Sequence, residues 1–322
     1  MAKIRFIQAI NQALAEEMER DERIVLFGED IIASTSGDTR GLHERFGPER
    51  VRDTPICEDT LSGMAVGAAA AGRRVILHMM FGNFIYTGFD AIANQMAKLR
   101  LMTGGQVKLP VTVLAGYGGG RATAAQHSDT PYSLLMNLGG INVAVPSTPA
   151  DAKGLLKTAI RSDNPAFFME PGGRGGMTGE VPEGEYTTPF GVAETQREGT
   201  DLTIIGIGAM LRPALEAAET LAGDGIEAEV VDLRTLVPMD EDAIIASLEK
   251  TGRLIVVDEA RDRCSAASHI AAIAADKGFG ALKAPVKRLT VDNMCMPYAP
   301  VVEKSIIPNS DDIAAAAREL VG

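Results

Sequence analysis

INVAVPSTPADAKGLLKTAIRSDNPAFFME, Ile141 to Glu170, is the stretch on which the fold turns. Its ends, Ile141 to Pro146 and Ala166 to Glu170, are short apolar runs of strand length. Pro149 to Arg161 between them reads as a helix. Strand, helix and strand in that order is the repeating unit of a parallel sheet covered on both faces.

The same rhythm extends outward in both directions. Upstream, Val111 to Gly116, Arg74 to Met80 and Ile24 to Gly28 read as further strands. The opening segment sets Phe6, Ile7, Ile10, Leu14 and Met18 near one helical face, and Ile85, Phe89, Ile92, Met96 and Leu99 form a second helical stripe. Thr60 to Gly72 is a run of small residues, expected to be a helix packed very closely against a neighbour. Downstream, strands at Leu202–Ile207, Ala228–Leu233, Leu254–Asp258 and Val286–Val291 alternate with helices at Leu211–Leu221, Glu241–Lys250, Ser265–Ala275 and Asp311–Leu320. The last helix has a plausible cap at Ser310. Between the halves, Pro171 to Pro189 is rich in glycine and proline. The expectation is two doubly wound α/β domains, 1–175 and 190–322, with 176–189 as linker.

Bulk properties exclude several function classes. At 322 residues there is room for two domains with a core each, and 46% hydrophobic against 23% charged residues argues against disorder. A net charge of −12 disfavours attraction to a phosphate backbone, so no nucleic-acid partner is expected. Cys57, Cys264 and Cys295 form no CxxC pair, and His43, His78, His127 and His269 show no HxH or HExxH spacing. Neither a disulfide framework nor a clustered zinc site is therefore indicated. With no signal peptide or spanning segment visible, a soluble cytoplasmic protein without membrane association is expected by exclusion. Gly206-Ile-Gly208 follows a strand but lacks a third glycine at Leu211, so it reads as a tight strand-to-helix turn. Gly116 to Gly120 reads as a flexible loop rather than a phosphate cradle, because no Lys-Ser/Thr follows it.

Two stretches resist a purely structural reading. In Asp53-Thr-Pro-Ile-Cys-Glu58-Asp59, a carboxylate stands at the head of the small-residue helix. Desolvation there raises a carboxyl pKa and lets it share a proton with a basic ring nitrogen. A surface glutamate favoured by the helix N-terminus is the alternative. In Ala124-Ala-Gln-His127-Ser128, a histidine follows the glycine loop and suits proton transfer near neutral pH, with a solvated loop histidine as the alternative.

Together these segments carry a resemblance. Arg50-Val-Arg-Asp-Thr-Pro-Ile-Cys-Glu58 followed by Gly63-Met-Ala-Val-Gly-Ala-Ala is similar to the β subunits of pyruvate, branched-chain 2-oxo-acid and acetoin dehydrogenases. So are Phe27-Gly-Glu29-Asp30, Phe81-Gly-Asn-Phe84, Met102-Thr-Gly-Gly105, Ala125-Gln-His-Ser128, PSTPADAKGLL from Pro146 to Leu156 and Val231-Asp-Leu-Arg-Thr235. The matches are collinear from Ile7 to Ile313. Glu249–Arg253, Asp258–Ala260, Arg263–Ser265 and Phe279–Pro285 lean towards the acetoin type.

The resemblance implies a pyrimidine-binding transketolase-like domain followed by a transketolase C-terminal-like domain. It implies thiamine diphosphate with Mg2+, bound where this β chain meets an α subunit, as two α plus two β chains. Gly223-Asp224-Gly225 mimics a diphosphate motif, but it lies between a helix and a strand with no asparagine near Thr251; it reads as a helix C-cap, leaving diphosphate and Mg2+ to the α subunit. Glu58 matches the family's activating glutamate, Glu29 an acid close to the cofactor pocket, and Met80 and Phe84 residues packing around the aminopyrimidine. His127 matches the active-site histidine that assists transfer to lipoyl groups. A K+ ion is implied on the backbone carbonyls of Val111, Ala159, Ile160, Ser162 and Asn164. The implied reaction cleaves acetoin or decarboxylates a 2-oxo acid such as pyruvate and passes the two-carbon or acyl unit to a lipoyl-bearing acyltransferase. Half of a transketolase or deoxyxylulose-phosphate-synthase-like carboligase and a non-catalytic assembly subunit are the alternatives. The sequence departs from the family pattern at Cys57, at Asp129 (whose charge beside His127 is expected to raise that histidine's pKa), over Gly172–Thr178 and over Met294–Pro297.

Overall fold

The computed structural model describes residues 1–322, the side chain of Arg174 aside. Strands β1 (Ala2–Arg5), β2 (Ile24–Gly28), β3 (Val51–Asp53), β4 (Arg74–Phe81), β5 (Val111–Tyr117), β6 (Asn142–Ala144), β7 (Ala166–Pro171) and β8 (Thr178–Val181) come first. They are followed by β9 (Glu194–Arg197), β10 (Leu202–Gly206), β11 (Ala228–Asp232), β12 (Thr235–Val237), β13 (Leu254–Arg261) and β14 (Lys287–Val291). The helices are α1 (Phe6–Arg20), α2 (Leu42–Phe46), α3 (Glu58–Ala70), α4 (Leu99–Met102), α5 (Tyr132–Met136) and α6 (Pro149–Arg161), then α7 (Leu211–Gly223), α8 (Glu241–Thr251), α9 (Ala266–Lys277), α10 (Pro300–Ile306) and α11 (Ser310–Val321). The chain forms two compact units, one of Met1–Tyr117 with Leu134–Phe190, the other of Gly118–Ser133 with Gly191–Gly322.

In the first unit a parallel sheet runs in the order β6–β7–β5–β4–β2–β3. Helix α6 covers it with Ala152, Leu155, Leu156 and Ile160, which join Phe6, Ile10, Leu14 and Met18 of α1 in one core. Its bounds follow from local chemistry. The Thr148 hydroxyl accepts from the Asp151 N–H at 3.1 Å, and Pro149 occupies a first-turn position that needs no N–H. The glycine- and proline-rich stretch contains β8, which pairs antiparallel with β1.

The stripe Ile85–Leu99 buries Ile85, Ile92 and Met96 as its periodicity predicts, but it is not one helix. A 3₁₀ turn at Gly82–Tyr86 and a π-helical turn at Ala91–Met96 precede α4. The reason is a close approach: a Cβ on Gly88 would lie 2.4 Å from Ser62 Oγ and 2.8 Å from the Glu58 carbonyl oxygen. The close packing expected of the small-residue helix α3 is thus with this segment.

In the second unit the sheet order is β14–β13–β10–β11–β9, parallel except for β9. Leu202, Ile204, Val230, Ile255 and Val257 pack on Ala214, Ala218 and Leu221 of α7 and on Ile313 and Ala317 of α11. The cap of α11 is Asn309 rather than Ser310, because its side chain accepts from both the Asp311 and Asp312 N–H groups. Gly223-Asp224-Gly225 ends α7 as expected, with Gly225 at φ +80°. Gly206 makes the expected tight turn, since a Cβ there would meet the Met210 oxygen at 2.7 Å.

Candidate functional site

Parallel pairing aligns Gly28 with both Asp53 and His78, so β2, β3 and β4 end at one edge of their sheet. Ligands of open α/β sheets bind outside the carboxyl ends of the strands. Glu29 directly follows β2, Glu58 opens α3 after β3, and Met80 and Phe84 stand at and just after the end of β4. One edge therefore collects four of the residues implied by the resemblance.

Glu29 and Glu58 are both buried, 4% and 6% exposed. Burial, and then the negative charge of Glu58 beside it, push the Glu29 carboxyl up to about 7. Oε1 of Glu29 is buried with no hydrogen-bond partner.

Strand β4 carries a bulge in its pairing with β5 between His78 and Phe81. Met80 lies in it with φ +54°, an uncommon conformation for a bulky side chain. Its N–H donates to His78 Nδ1 at 3.2 Å, and His78 Nε2 is 2.8 Å from Asp38 Oδ2. Phe84 follows in the 3₁₀ turn, edge-on to Phe81 with ring centroids 6.0 Å apart.

His127 belongs to the second unit, within the segment Gly118–Ser133. That loop is tied to its unit by several hydrogen bonds. The Gly119 N–H donates to Glu259 Oε2 at 3.1 Å, the Ala122 N–H to Glu303 Oε2 at 2.8 Å and the Tyr132 hydroxyl to Asp258 Oδ1 at 2.5 Å. Asp129, expected to act on His127, is ion-paired to Arg261 at 2.6 Å. Glu259 is buried, which pushes its carboxyl up to about 8. Below its ordinary value of 4.5, folded and unfolded chains both hold that proton. Between 4.5 and about 8 only the folded chain does, so each rise in pH favours unfolding, and the loss levels off above 8. Glu259→Gln keeps an acceptor for Gly119 without the charge. Urea midpoints are expected to show it more stable than the parent by about 1–2 kcal/mol at pH 8, with the gap closing towards pH 5. A gap independent of pH would contradict this.

Two of the five carbonyls implied to hold K+, those of Ile160 and Ser162, accept from a different cation. Arg74 is buried, and its Nη1 donates to the carbonyl oxygens of Ile160 and Ser162 at 2.6 Å each; Nη2 meets Asp163 Oδ1 at 3.1 Å. The Ala159 carbonyl accepts from the Ser162 N–H at 3.1 Å. A second cation on the Ile160 and Ser162 carbonyls would sit against the guanidinium, and we propose that they serve Arg74 rather than a potassium ion. Thermal midpoints in potassium chloride and choline chloride at equal ionic strength are expected to agree within about 1 °C, because an ion that does not bind cannot stabilise. Arg74→Met is expected to cost about 2–3 kcal/mol by stranding the Ile160 and Ser162 carbonyls, since Asp163 keeps its ion pair with Lys108 at 2.7 Å. A saturable rise in midpoint specific to K+ would restore the ion.

Comparison with known proteins bears on this arrangement. Residues 2–175 match the transketolase pyrimidine-binding domain and 191–313 the transketolase C-terminal domain. The chain is 46% identical to the acetoin:2,6-dichlorophenolindophenol oxidoreductase β subunit of Bacillus subtilis (strain 168), covering 99% of this chain and 97% of that one. It is 42% identical to the same organism's pyruvate dehydrogenase E1 component β subunit, covering 100% and 99%. The chain belongs to the family of thiamine-diphosphate-dependent dehydrogenase β subunits. A solved structure of a split-gene transketolase, an inactive β4 tetramer, superposes with a TM-score of 0.83 at 26% identity, covering 99% of this chain and 98% of that one.

The family's cofactor fits the residues of the first unit. Its aminopyrimidine needs a buried carboxyl able to exchange a proton with a ring nitrogen, and the Glu29–Glu58 pair with its unfilled oxygen is such a group. Sequence reasoning found both acids through the family pattern but passed over Asp38 and His78, which carry no motif and meet only in the fold. No helix among the described residues is long and apolar enough to cross a membrane.

Proposed function

We propose that the chain is the catalytic β half of a cytoplasmic dehydrogenase that cleaves acetoin or decarboxylates a 2-oxo acid such as pyruvate. It works with an α subunit, in a two-α, two-β assembly, which holds the diphosphate and Mg2+. The product two-carbon or acyl unit goes to a lipoyl-bearing acyltransferase. The observation that carries the reading is the buried Glu29–Glu58 pair at the strand ends of a family member.

Thiamine diphosphate, when bound, supplies the carbon nucleophile and electron sink for breaking a bond next to a carbonyl. This chain's part is the proton. Glu58 exchanges it with a ring nitrogen, and Glu29 beside it, its carboxyl pushed up to about 7 by burial and then by the Glu58 charge, holds its own proton up to about that pH. Met80 and Phe84 offer apolar surface that excludes water from that contact. His127, in its anchored loop, is the proposed proton carrier for transfer to the lipoyl acceptor.

The deciding experiment is co-expression with the α subunit, followed by thiamine diphosphate binding and dye-linked oxidation of acetoin, pyruvate and branched 2-oxo acids. Tight cofactor binding by the β chain alone would contradict the shared site. The likeness to a split-gene transketolase favours a second reading, a carboligase half; two-carbon transfer between sugar phosphates without dye reduction would establish it. The 46% against 26% identity favours the dehydrogenase.

A further inference from the structure

We propose that Asp38 and His78 are positioning residues for the cofactor pocket, fixing the imidazole tautomer that holds the Met80 bulge in shape. This rests on the proposed function, since it assigns Met80 to that pocket.

Asp38 and His78 are 40 positions apart and both buried, 0% and 2% exposed. Nδ1 of His78 accepts the Met80 N–H, so that nitrogen carries no proton. The single proton of the neutral ring is then on Nε2, where it is donated to Asp38 at 2.8 Å. Asp38 is itself fixed: its Oδ1 accepts from the Ser36 hydroxyl, and its carbonyl accepts from Asn11 Nδ2 at 2.7 Å. The chain of contacts thus runs from a rigid aspartate through one tautomer to a backbone N–H at φ +54°. A bulge beside a site re-aims side chains, and a strained residue persists only where its surroundings over-determine it. Without the Nδ1 acceptor the Met80 peptide has a lower-energy choice, and Met80 and the following Phe81–Phe84 segment lose their aim.

Glu170 also faces this pair; ligand atoms of Asp38, His78 and Glu170 lie within 4.8 Å of one another, and all three are buried. The cluster has the composition of a metal site, yet the ring geometry opposes it. A histidine that binds metal through Nε2 carries its proton on Nδ1 and donates it. Here Nδ1 faces an N–H donor. The acidic groups near the ring are Asp38, Glu170 and Glu29, and of these Asp38 is the one seen to accept from Nε2.

Four histidines make a selectively 15N-labelled chain easy to read. Long-range proton–nitrogen spectra are expected to show His78 protonated on Nε2 alone, with the signal assigned by its loss in His78→Leu. Two variants then separate positioning from mere packing. His78→Asn places an acceptor oxygen near the former Nδ1, whereas His78→Leu removes it, and both lose the Asp38 contact alike. In the α–β complex, calorimetry is expected to show thiamine diphosphate affinity reduced about tenfold or more in His78→Leu but within about threefold of the parent in His78→Asn. Met80 amide exchange should accelerate only in His78→Leu. Equal losses in both variants, a proton on Nδ1, or stoichiometric zinc in the purified chain would each overturn the proposal. If the parent complex binds no thiamine diphosphate, the proposed function fails instead, and the tautomer and Met80 exchange still decide the Asp38–His78 role. Should His78→Leu fail to fold, the parent spectrum and Asp38→Asn, expected to weaken the Nε2 preference, remain decisive.

Discussion

Glu58→Gln, measured in the complex with the α subunit, is expected to lower kcat about a thousandfold or more, several kcal/mol of barrier lowering. The glutamine keeps the volume and one acceptor but cannot give or take a proton. The substitution therefore acts on the chemical step and leaves shape alone. Glu58 is buried at the head of α3, its carbonyl pressed against Gly88 and its carboxyl beside Glu29. That environment holds the group in place, so no rearrangement of neighbours is expected to rescue it. Thiamine diphosphate affinity should stay within a few-fold of the parent, because a neutral amide still hydrogen-bonds a ring nitrogen. Loss in kcat with binding retained is the signature of an interaction made in the reaction rather than in the resting complex. Full activity in this variant would remove Glu58 from the mechanism, and equal losses in binding and rate would make it a packing residue.

How far the sequence disclosed this site depends on the range of the forces involved. Helix α6 was legible to the residue because Thr148, Pro149 and Arg161 act locally. The strands β2, β4 and β5 were legible because their burial on both faces writes a continuous apolar run. The Ile85–Leu99 stripe predicted the buried face correctly but not the broken helix, whose cause is Gly88 meeting α3 from elsewhere in the chain. Strand β8 is short and mostly polar, and only pairing with β1 at the far end of the unit makes it a strand. The loop bearing His127 looked mobile from its glycines; Glu259 and Glu303, more than a hundred residues on, hold it. Glu58 stood out only through the ordered family pattern, and its physical partner Glu29 became a partner only when β2 and β3 ended side by side.

Gly28→Ala is expected to cost about 4 kcal/mol or more. A Cβ at Gly28 would stand 2.1 Å from the His78 carbonyl oxygen and 2.9 Å from its carbon, at φ +153°. These are backbone atoms of β4, which is itself pinned by pairing with β5 on its other side. No side chain can swing away, so relief requires β2 to part from β4 and lose the Gly28–His78 register. Gly41→Ala is the control, since Gly41 has φ +76° but nothing within 4 Å of the added atom. It should cost only about 1 kcal/mol, the conformational penalty without the collision. Urea midpoints of the two variants measure the difference, and a Gly28→Ala value near the Gly41→Ala value would refute the clash argument. The same collision reaches function. Glu29 follows the displaced residue directly, and His78 supplies the oxygen being struck, so any folded fraction of Gly28→Ala should also bind thiamine diphosphate weakly. One atom at the end of β2 thus tests whether the carboxyl pair and the Met80 support depend on a single strand register.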